Sequence, residues 1–324
     1  MHRRAFLQHS SLLVTGSLLR PSLLSAKKPA IGLQLYTVRR QLEQDPATTL
    51  DRVAQIGYRE VELATYTGTQ LFYGMKPADF AALLWRSGLK AVSSHYRLGA
   101  ESIPAQQQQG TLLHGWDRAV DDAAALGLRY LVCAWLSPEE RSSLDRYKAL
   151  AETLNRAGER CRKAGLQLCY HNHDFEFTAI DGTIPYELLL RDTDKSLVHF
   201  ELDLYWTAKA GQDPVALFER KPGRFPLWHI KDMDAGPAKG FTEVGRGTID
   251  FERIFRAAAT AGRKHFFVEQ DETPGDPFDS IRSSYTYVRK HLASAQAAAS
   301  QRRTIPVANN GTRTTTAHTA GRSC

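Results

Sequence analysis

Short runs rich in β-branched and aromatic residues alternate along this chain with stretches in which apolar residues recur every three or four positions. The period of the alternation is about thirty residues, the spacing of parallel strands joined by crossover helices. Eight strands are expected, over Ile31–Thr37, Arg59–Ala64, Leu89–Tyr96, Leu128–Leu136, Leu166–Phe177, Val198–Trp206, Phe225–Met233 and His265–Asp271. Gly57, Gly88, Gly127, Gly165 and Gly262 each fall between a helical stretch and the next strand, where a left-handed helix stop needs a residue without Cβ. Eight such units predict an α/β protein with a single-domain (β/α)8 TIM barrel, whose usual size is roughly 250 residues. A doubly wound open sheet is the runner-up, but its phosphate loop of three glycines after the first strand is missing.

Charge divides the chain into three segments. The 324 residues carry 42 Lys plus Arg against 35 Asp plus Glu, a formal net charge of +7. All seven surplus charges lie in the tails, at Arg3, Arg4 and Arg20 and at Arg302, Arg303, Arg313 and Arg322, and neither tail holds an acid. The central part is therefore neutral, which argues against a nucleic-acid partner. Residues 1–26 begin His2-Arg3-Arg4-Ala5-Phe6-Leu7, continue through a mildly apolar stretch and end Leu24-Ser25-Ala26. This is the pattern of a twin-arginine signal peptide, too short to anchor the chain stably in a membrane. The expected organisation is thus a signal at 1–26, a catalytic barrel at 27–293 and a disordered low-complexity tail at 294–324, with a periplasmic or secreted product. Cys133, Cys161, Cys169 and Cys324 show no metal or redox spacing, so no disulfide framework is expected.

A barrel puts its chemistry at the C-terminal ends of the strands. There the sequence offers Tyr36, Glu62, Ser94-His95, Trp135, His171-Asn172-His173, Glu201, Asp203, His229, Lys231, Asp232, Glu269 and Asp271. A lone polar residue in such a run is most simply a satisfied core group. Four successive strands ending in imidazoles or carboxylates instead suit a divalent cation such as Mn²⁺, Zn²⁺, Co²⁺ or Mg²⁺.

Taken together, Gly32-Leu-Gln-Leu-Tyr-Thr-Val-Arg39, Val61-Glu-Leu63, Ser93-Ser-His95, Tyr170-His-Asn-His173, Glu201-Leu-Asp203, His229-Ile-Lys-Asp232, Gly245-Arg-Gly-Thr-Ile-Asp250 and Val268-Glu269 resemble the xylose-isomerase-like TIM-barrel family. That family includes sugar isomerases and epimerases, inosose dehydratase and, more distantly, endonuclease IV. The resemblance implies a metal held by Asp203, His229, Glu269 and a Glu ending the fifth strand. This chain has His171 in place of that Glu, so His171 is assigned as the fourth ligand, with Glu176 as the fallback. It also implies a small-molecule sugar substrate and leaves a homo-oligomer open.

The first functional expectation is a metal-dependent isomerase or epimerase working through an enediolate on a keto sugar. The alternative is a lyase or dehydratase eliminating from a keto sugar or 3-keto glycoside, because the missing carboxylate breaks the symmetric pair that epimerases of this kind use. A non-catalytic sugar-binding barrel ranks behind both, and an endonuclease IV-like nuclease lacks the ligand set and the basic rim. Glu269 is the expected proton acceptor, with Lys231 as enediolate stabiliser or acid and His171 as a further catalytic group. Substrate contacts are expected from His95, Glu62, Tyr36, Trp135, Trp206 and His173, with Tyr205 as another apolar wall. Lys231 has a competing reading as an ion-pair partner of Asp232, Glu201 or Asp271, and Glu62 as a partner of Arg39 or Arg59. Gly245-Arg-Gly247 lacks the third glycine of a nucleotide loop and is expected to fold over the barrel mouth, with Asp250 capping the next helix. The absence of a dedicated phosphate cradle favours neutral sugars.

Overall fold

The computed structural model describes residues 30–64, 66–99 and 108–292. The expected signal peptide and the whole expected C-terminal tail, Cys324 included, lie outside the described residues. Eight parallel strands form a closed barrel: β1 (Gly32–Gln34), β2 (Glu60–Leu63), β3 (Lys90–Tyr96), β4 (Tyr130–Cys133), β5 (Gln167–His171), β6 (Val198–Asp203), β7 (Leu227–Ile230) and β8 (His265–Val268). Each strand pairs with its sequence neighbours, and β8 closes on β1 through Gly32 opposite Phe267. This is a single (β/α)8 TIM barrel, and every strand lies within a segment expected from the pattern.

The strands are shorter than the apolar runs because the chain turns sharply at their C-terminal ends. Leu35–Val38 and Phe175–Phe177 form 3-10 turns, and Leu204–Lys209 begins a helix directly after β6. Asp203 caps that helix, its Oδ1 accepting from the Trp206 amide at 2.8 Å. Helices Trp116–Leu126 and Ala258–Ala261 end at Gly127 and Gly262, with φ of 84° and 78°, so these two expected stops adopt the left-handed conformation that glycine tolerates best. Cys133, Cys161 and Cys169 are buried free thiols.

Two apolar layers fix the site's position. The larger packs the outer faces of the strands against the helices. The smaller fills the barrel with Val92, Val132, Ala134, Cys169, Leu227 and Phe267. Since side chains two apart in a strand share a face, Cys169, Leu227 and Phe267 each place the residue two further on, His171, His229 and Glu269, just above this plug. A register shift between β2 and β3 helps Ser93 and His95 face the same interior as Val92.

The loop after β7 is held by one carboxylate. Asp232 and Met233 pair antiparallel with Phe241–Thr242, and the buried Asp232 carboxylate accepts from the amides of Met233, Gly245, Gly247 and Ile249 at 2.8–3.1 Å. A Cβ at Gly247 would lie 2.3 Å from Asp232 Oδ1, so the glycine permits this close approach. Asp250 caps Phe251–Arg256 through the Arg253 amide, as expected. Asp232→Ala would orphan these amides and is expected to destabilise the protein by about 3 kcal/mol in urea unfolding. A loss below about 0.5 kcal/mol would mean the loop holds without its latch.

Candidate active site

Inward-facing residues of six strands or their ends converge above the plug. At its centre is His229, fully buried, with both ring nitrogens facing carboxylates: Nδ1 lies 2.8 Å from Glu269 Oε2 and Nε2 lies 2.5 Å from Glu62 Oε2. His171 is arranged in the same way. Its Nδ1 is 3.0 Å from Glu201 Oε2 and its Nε2 is 3.7 Å from Asp203 Oδ2. Asp203 Oδ2 also lies 3.9 Å from His229 Nδ1. Of the four expected ligands, Asp203, His229 and Glu269 have ligand atoms within 4.8 Å of each other, while His171 reaches this group through Asp203 and otherwise gathers with His95, Glu201 and His229.

Lys231 follows His229 on the same face and is almost completely buried. Its ammonium lies 3.0 Å from Asp203 Oδ2, 2.5 Å from Glu269 Oε2 and 2.9 Å from Asp271 Oδ1. Of the expected ion-pair partners Asp271 is present, whereas the neighbouring Asp232 is spent on the loop. Burial would lower the Lys231 pKa, but the three carboxylates outweigh it and hold the group charged. Burial would likewise raise the Glu269 carboxyl, but Lys231 and His229 hold it well below the ordinary range. Burial pushes Asp271 up to about 6 despite Lys231.

The imidazoles divide by environment. Burial lowers His171 well below its ordinary value, with His229 adding to the effect, and drops His173 to about 3, so both are neutral. Burial also opposes charge on His95, but Glu62 and Glu201 raise it to about 9 and make it a cation. Its Nε2 lies 3.0 Å from Glu62 Oε2 and 3.1 Å from Glu201 Oε2.

Above these groups opens a cavity of about 370 Å³. Glu269, Asp271 and Lys231 line one arc, and His95, His171 and His173 line another. Tyr36 and Trp135, two of the expected apolar walls, line it and are each 40% exposed. Trp206 lies behind this lining, 5.5 Å from the His173 ring and 5.8 Å from Phe241, with Tyr205 beside it.

Two expected roles shift with the geometry. Glu62 lies beneath the cavity, fully buried, with Oε1 accepting from Ser93 Oγ at 2.5 Å and Oε2 from Gln34 Nε2 at 2.8 Å. That places it under His229, away from a substrate hydroxyl, while Arg39 bonds Glu272 and Arg59 bonds backbone carbonyls. Glu176, the fallback ligand, accepts from Tyr170 OH at 2.6 Å and from the His173 amide at 2.8 Å, so it braces the turn after β5. Gln34 and Ser93 were not expected as functional groups, and Glu201 was expected only as a possible partner of Lys231, which instead pairs with Asp203, Glu269 and Asp271. Glu201 sits two residues before Asp203 on the same inward face, and that spacing was its available signal.

The donor set fits a divalent cation. Asp203, Glu269 and His229, all buried, have ligand atoms within 4.8 Å of one another, and His171 Nε2 stands 3.7 Å from Asp203 Oδ2 beside them, a mixed oxygen and nitrogen set suited to such an ion. Among the described residues, the carboxylate oxygens that face one another there, Asp203 Oδ2 and Glu269 Oε2, share the Lys231 ammonium and the His229 ring as their positive partners.

A family model described as the xylose isomerase-like TIM barrel matches residues 50–291. Inosose dehydratase from Lacticaseibacillus casei is 26% identical over 263 residues, covering 71% of this chain and 86% of that protein. Inosose dehydratase from Geobacillus kaustophilus is 24% identical over 283 residues, covering 76% and 88%. A solved sugar phosphate isomerase/epimerase from Parabacteroides distasonis is 30% identical with a TM-score of 0.71, covering 83% of this chain and 96% of that one. The IolI protein, solved with a zinc atom, shares the fold at 14% identity and a TM-score of 0.62, covering 83% and 98%.

Proposed function

The chain belongs to the xylose isomerase-like TIM-barrel family, and on that premise we propose that it is a divalent-metal-dependent lyase acting on an uncharged keto sugar. One observation carries the choice of elimination over epimerisation: among the described residues, the carboxylates lining the cavity, Glu269 and Asp271, both stand at the end of β8, and imidazoles from β3 and β5 face it elsewhere. Inverting one stereocentre calls for similar proton-transfer groups on both faces of the sugar. Elimination calls for a base at one carbon and an acid at a different oxygen.

His171, Asp203, His229 and Glu269 would hold the cation, which supplies polarisation of the substrate carbonyl and acidifies the neighbouring C–H. Glu269, kept ionised, accepts that proton. Lys231 stays charged and stabilises negative charge developing on the substrate oxygen. His95, held as an imidazolium by Glu62 and Glu201, donates to the departing hydroxyl or glycosyl oxygen. Tyr36 and Trp135 give the sugar ring aromatic surface at the mouth.

An uncharged substrate is supported by Lys231 already serving three carboxylates and by Arg39 being bonded to Tyr36 O, Asp271 O and Glu272, while Arg97, which also lines the cavity, lies 5.8 Å over the Trp135 ring. The inosose dehydratase relatives support elimination. The Parabacteroides structure, named for isomerase/epimerase activity, supports a second reading in which the sugar keeps all its oxygens. A twin-arginine leader at residues 1–26 is part of the same proposal, and the protein would then meet its substrate outside the cytoplasm.

Metal-loaded protein incubated in D₂O with inososes, 3-keto glycosides and common ketoses, followed by NMR, separates these readings. Loss of a hydroxyl or aglycone is expected. Deuterium entering an otherwise intact sugar would make the protein an isomerase or epimerase, and no turnover of any of them would leave a binding barrel. Asp203→Ala is expected to lose the metal and all turnover while keeping the fold by circular dichroism.

A further inference from the structure

Each of the two imidazoles assigned to the metal has one nitrogen on a deeply buried carboxylate and the other facing the Asp203 and Glu269 side. We propose that Glu201 and Glu62 are positioning residues that set the tautomers of these rings. Glu201 holds His171 with its hydrogen on Nδ1; a bound cation would displace the Nδ1 hydrogen that His229 shares with Glu269 and release it to solvent, Glu62 keeping the remaining hydrogen on Nε2, so that His171 Nε2 and His229 Nδ1 then present their lone pairs towards Asp203 and Glu269. The inference rests on the metal-dependent reading above and specifies how this chain does without a carboxylate ending the fifth strand.

Geometry separates a fixed side from an exchangeable one. Glu62 is fully buried and cannot turn, because Ser93 Oγ holds one of its oxygens at 2.5 Å and Gln34 Nε2 the other at 2.8 Å. Its Oε2 is then an acceptor 2.5 Å from His229 Nε2. Glu201 is equally buried and offers Oε2 to His171 Nδ1 at 3.0 Å. His95 bridges the two carboxylates at 3.0 and 3.1 Å, so this inner side already has a positive partner as well as hydrogen-bond donors. On the outer side Glu269 and Lys231 line the cavity, where ions and substrate arrive. A carboxylate accepting from the remote N–H of a ligating imidazole fixes the ring's orientation and raises its basicity.

The arrangement has a definite competitor. His95, His171, Glu201 and His229 have ligand atoms within 4.8 Å of one another, and since His171 Nδ1 and His229 Nε2 are the nitrogens 3.0 and 3.2 Å from Glu201 Oε2, a metal bound among them would use those two. The two sites therefore call for opposite nitrogens on both rings. In the competitor Glu201 would itself be a ligand.

The full chain labelled with ¹⁵N-histidine and loaded with Zn²⁺ reads this directly through long-range ¹H–¹⁵N correlation. Metal-bound shifts at His171 Nε2 and His229 Nδ1, with hydrogens on the other two nitrogens, are expected. The reverse pattern on either ring would overturn the proposal. Glu201→Gln and Glu62→Gln are each expected to weaken Co²⁺ binding by roughly 10- to 100-fold at an unchanged stoichiometry of one. Unchanged affinity in both variants, or a second equivalent of Co²⁺ in the natural protein that disappears in Glu201→Gln, would also overturn it. The tautomer measurement needs no substitution, so it stands if a buried variant fails to fold. Failure of the natural protein to bind any divalent ion would remove the metal-dependent reading and this inference together, whereas reversed nitrogens with metal bound would remove the inference alone.

Discussion

Glu269→Gln is expected to lower turnover by roughly 10³- to 10⁴-fold while leaving the fold and part of the metal affinity in place. The substitution is nearly isosteric and keeps an oxygen that can approach both Lys231 and His229, which now lie 2.5 and 2.8 Å from Glu269 Oε2. What it removes is a charge and a proton acceptor. A neutral amide cannot take a proton from carbon, and it leaves Lys231 with one fewer counter-charge beside the developing oxyanion. The loss should therefore fall on kcat rather than KM. Single-turnover measurement at saturating metal checks this, with metal content determined on the same sample. If turnover stayed within tenfold of the natural protein, the base would have to lie elsewhere. The other carboxylate lining the cavity is Asp271, whose carboxyl is pushed up to about 6 by burial.

The fold was legible because alternating apolar runs and helical stretches specify a β/α repeat, and eight repeats in a neutral central segment leave few architectures. The faces of the strands were also legible. A side-chain period of two puts Glu201 with Asp203, His229 with Lys231 and Glu269 with Asp271 on the barrel interior, and the structure has all six there. Depth was harder to read. Whether an inward residue lies beneath the cavity or lines it depends on strand tilt and on the stagger between neighbours, which emerge only on closure. Glu62 thus read as a substrate contact although it lies below His229, and Glu201 read only as a possible ion-pair partner of Lys231 although three imidazole nitrogens lie within 3.2 Å of its Oε2. Glu176 shows the same limit in a turn. Its position five residues after His171 left it open as a ligand, but the 3-10 turn directs it back to Tyr170 and the His173 amide. Gln34 and Ser93 act by holding another side chain in place, a role that has no local sequence pattern.

Lys231→Met should destabilise the metal-free protein by about 3–5 kcal/mol, because it strips the ammonium from three carboxylates that have little access to water. Lys231 Nζ lies within 3.0 Å of Asp203, Glu269 and Asp271, and the first two are nearly or fully buried. Methionine matches the length of the side chain, so the loss would reflect charge more than packing. The two oxygens closest to this ammonium, Asp203 Oδ2 and Glu269 Oε2, are also those assigned to the metal, so lysine and cation compete for the same negative charge. Adding Mn²⁺ or Zn²⁺ should then raise the melting temperature of the variant more than that of the natural protein. A ligand at a hundred times its Kd stabilises a fold by about 2.7 kcal/mol, and in the variant that Kd is expected to be lower. Turnover should still be lost at saturating metal, since no fixed positive charge remains beside the substrate oxygen. Thermal unfolding with and without added metal tests both parts. Equal metal-induced shifts in the two proteins would mean that Lys231 and the cation do not share those oxygens. A metal-free variant as stable as the natural protein would mean that the carboxylates are protonated or hydrated once the ammonium is gone.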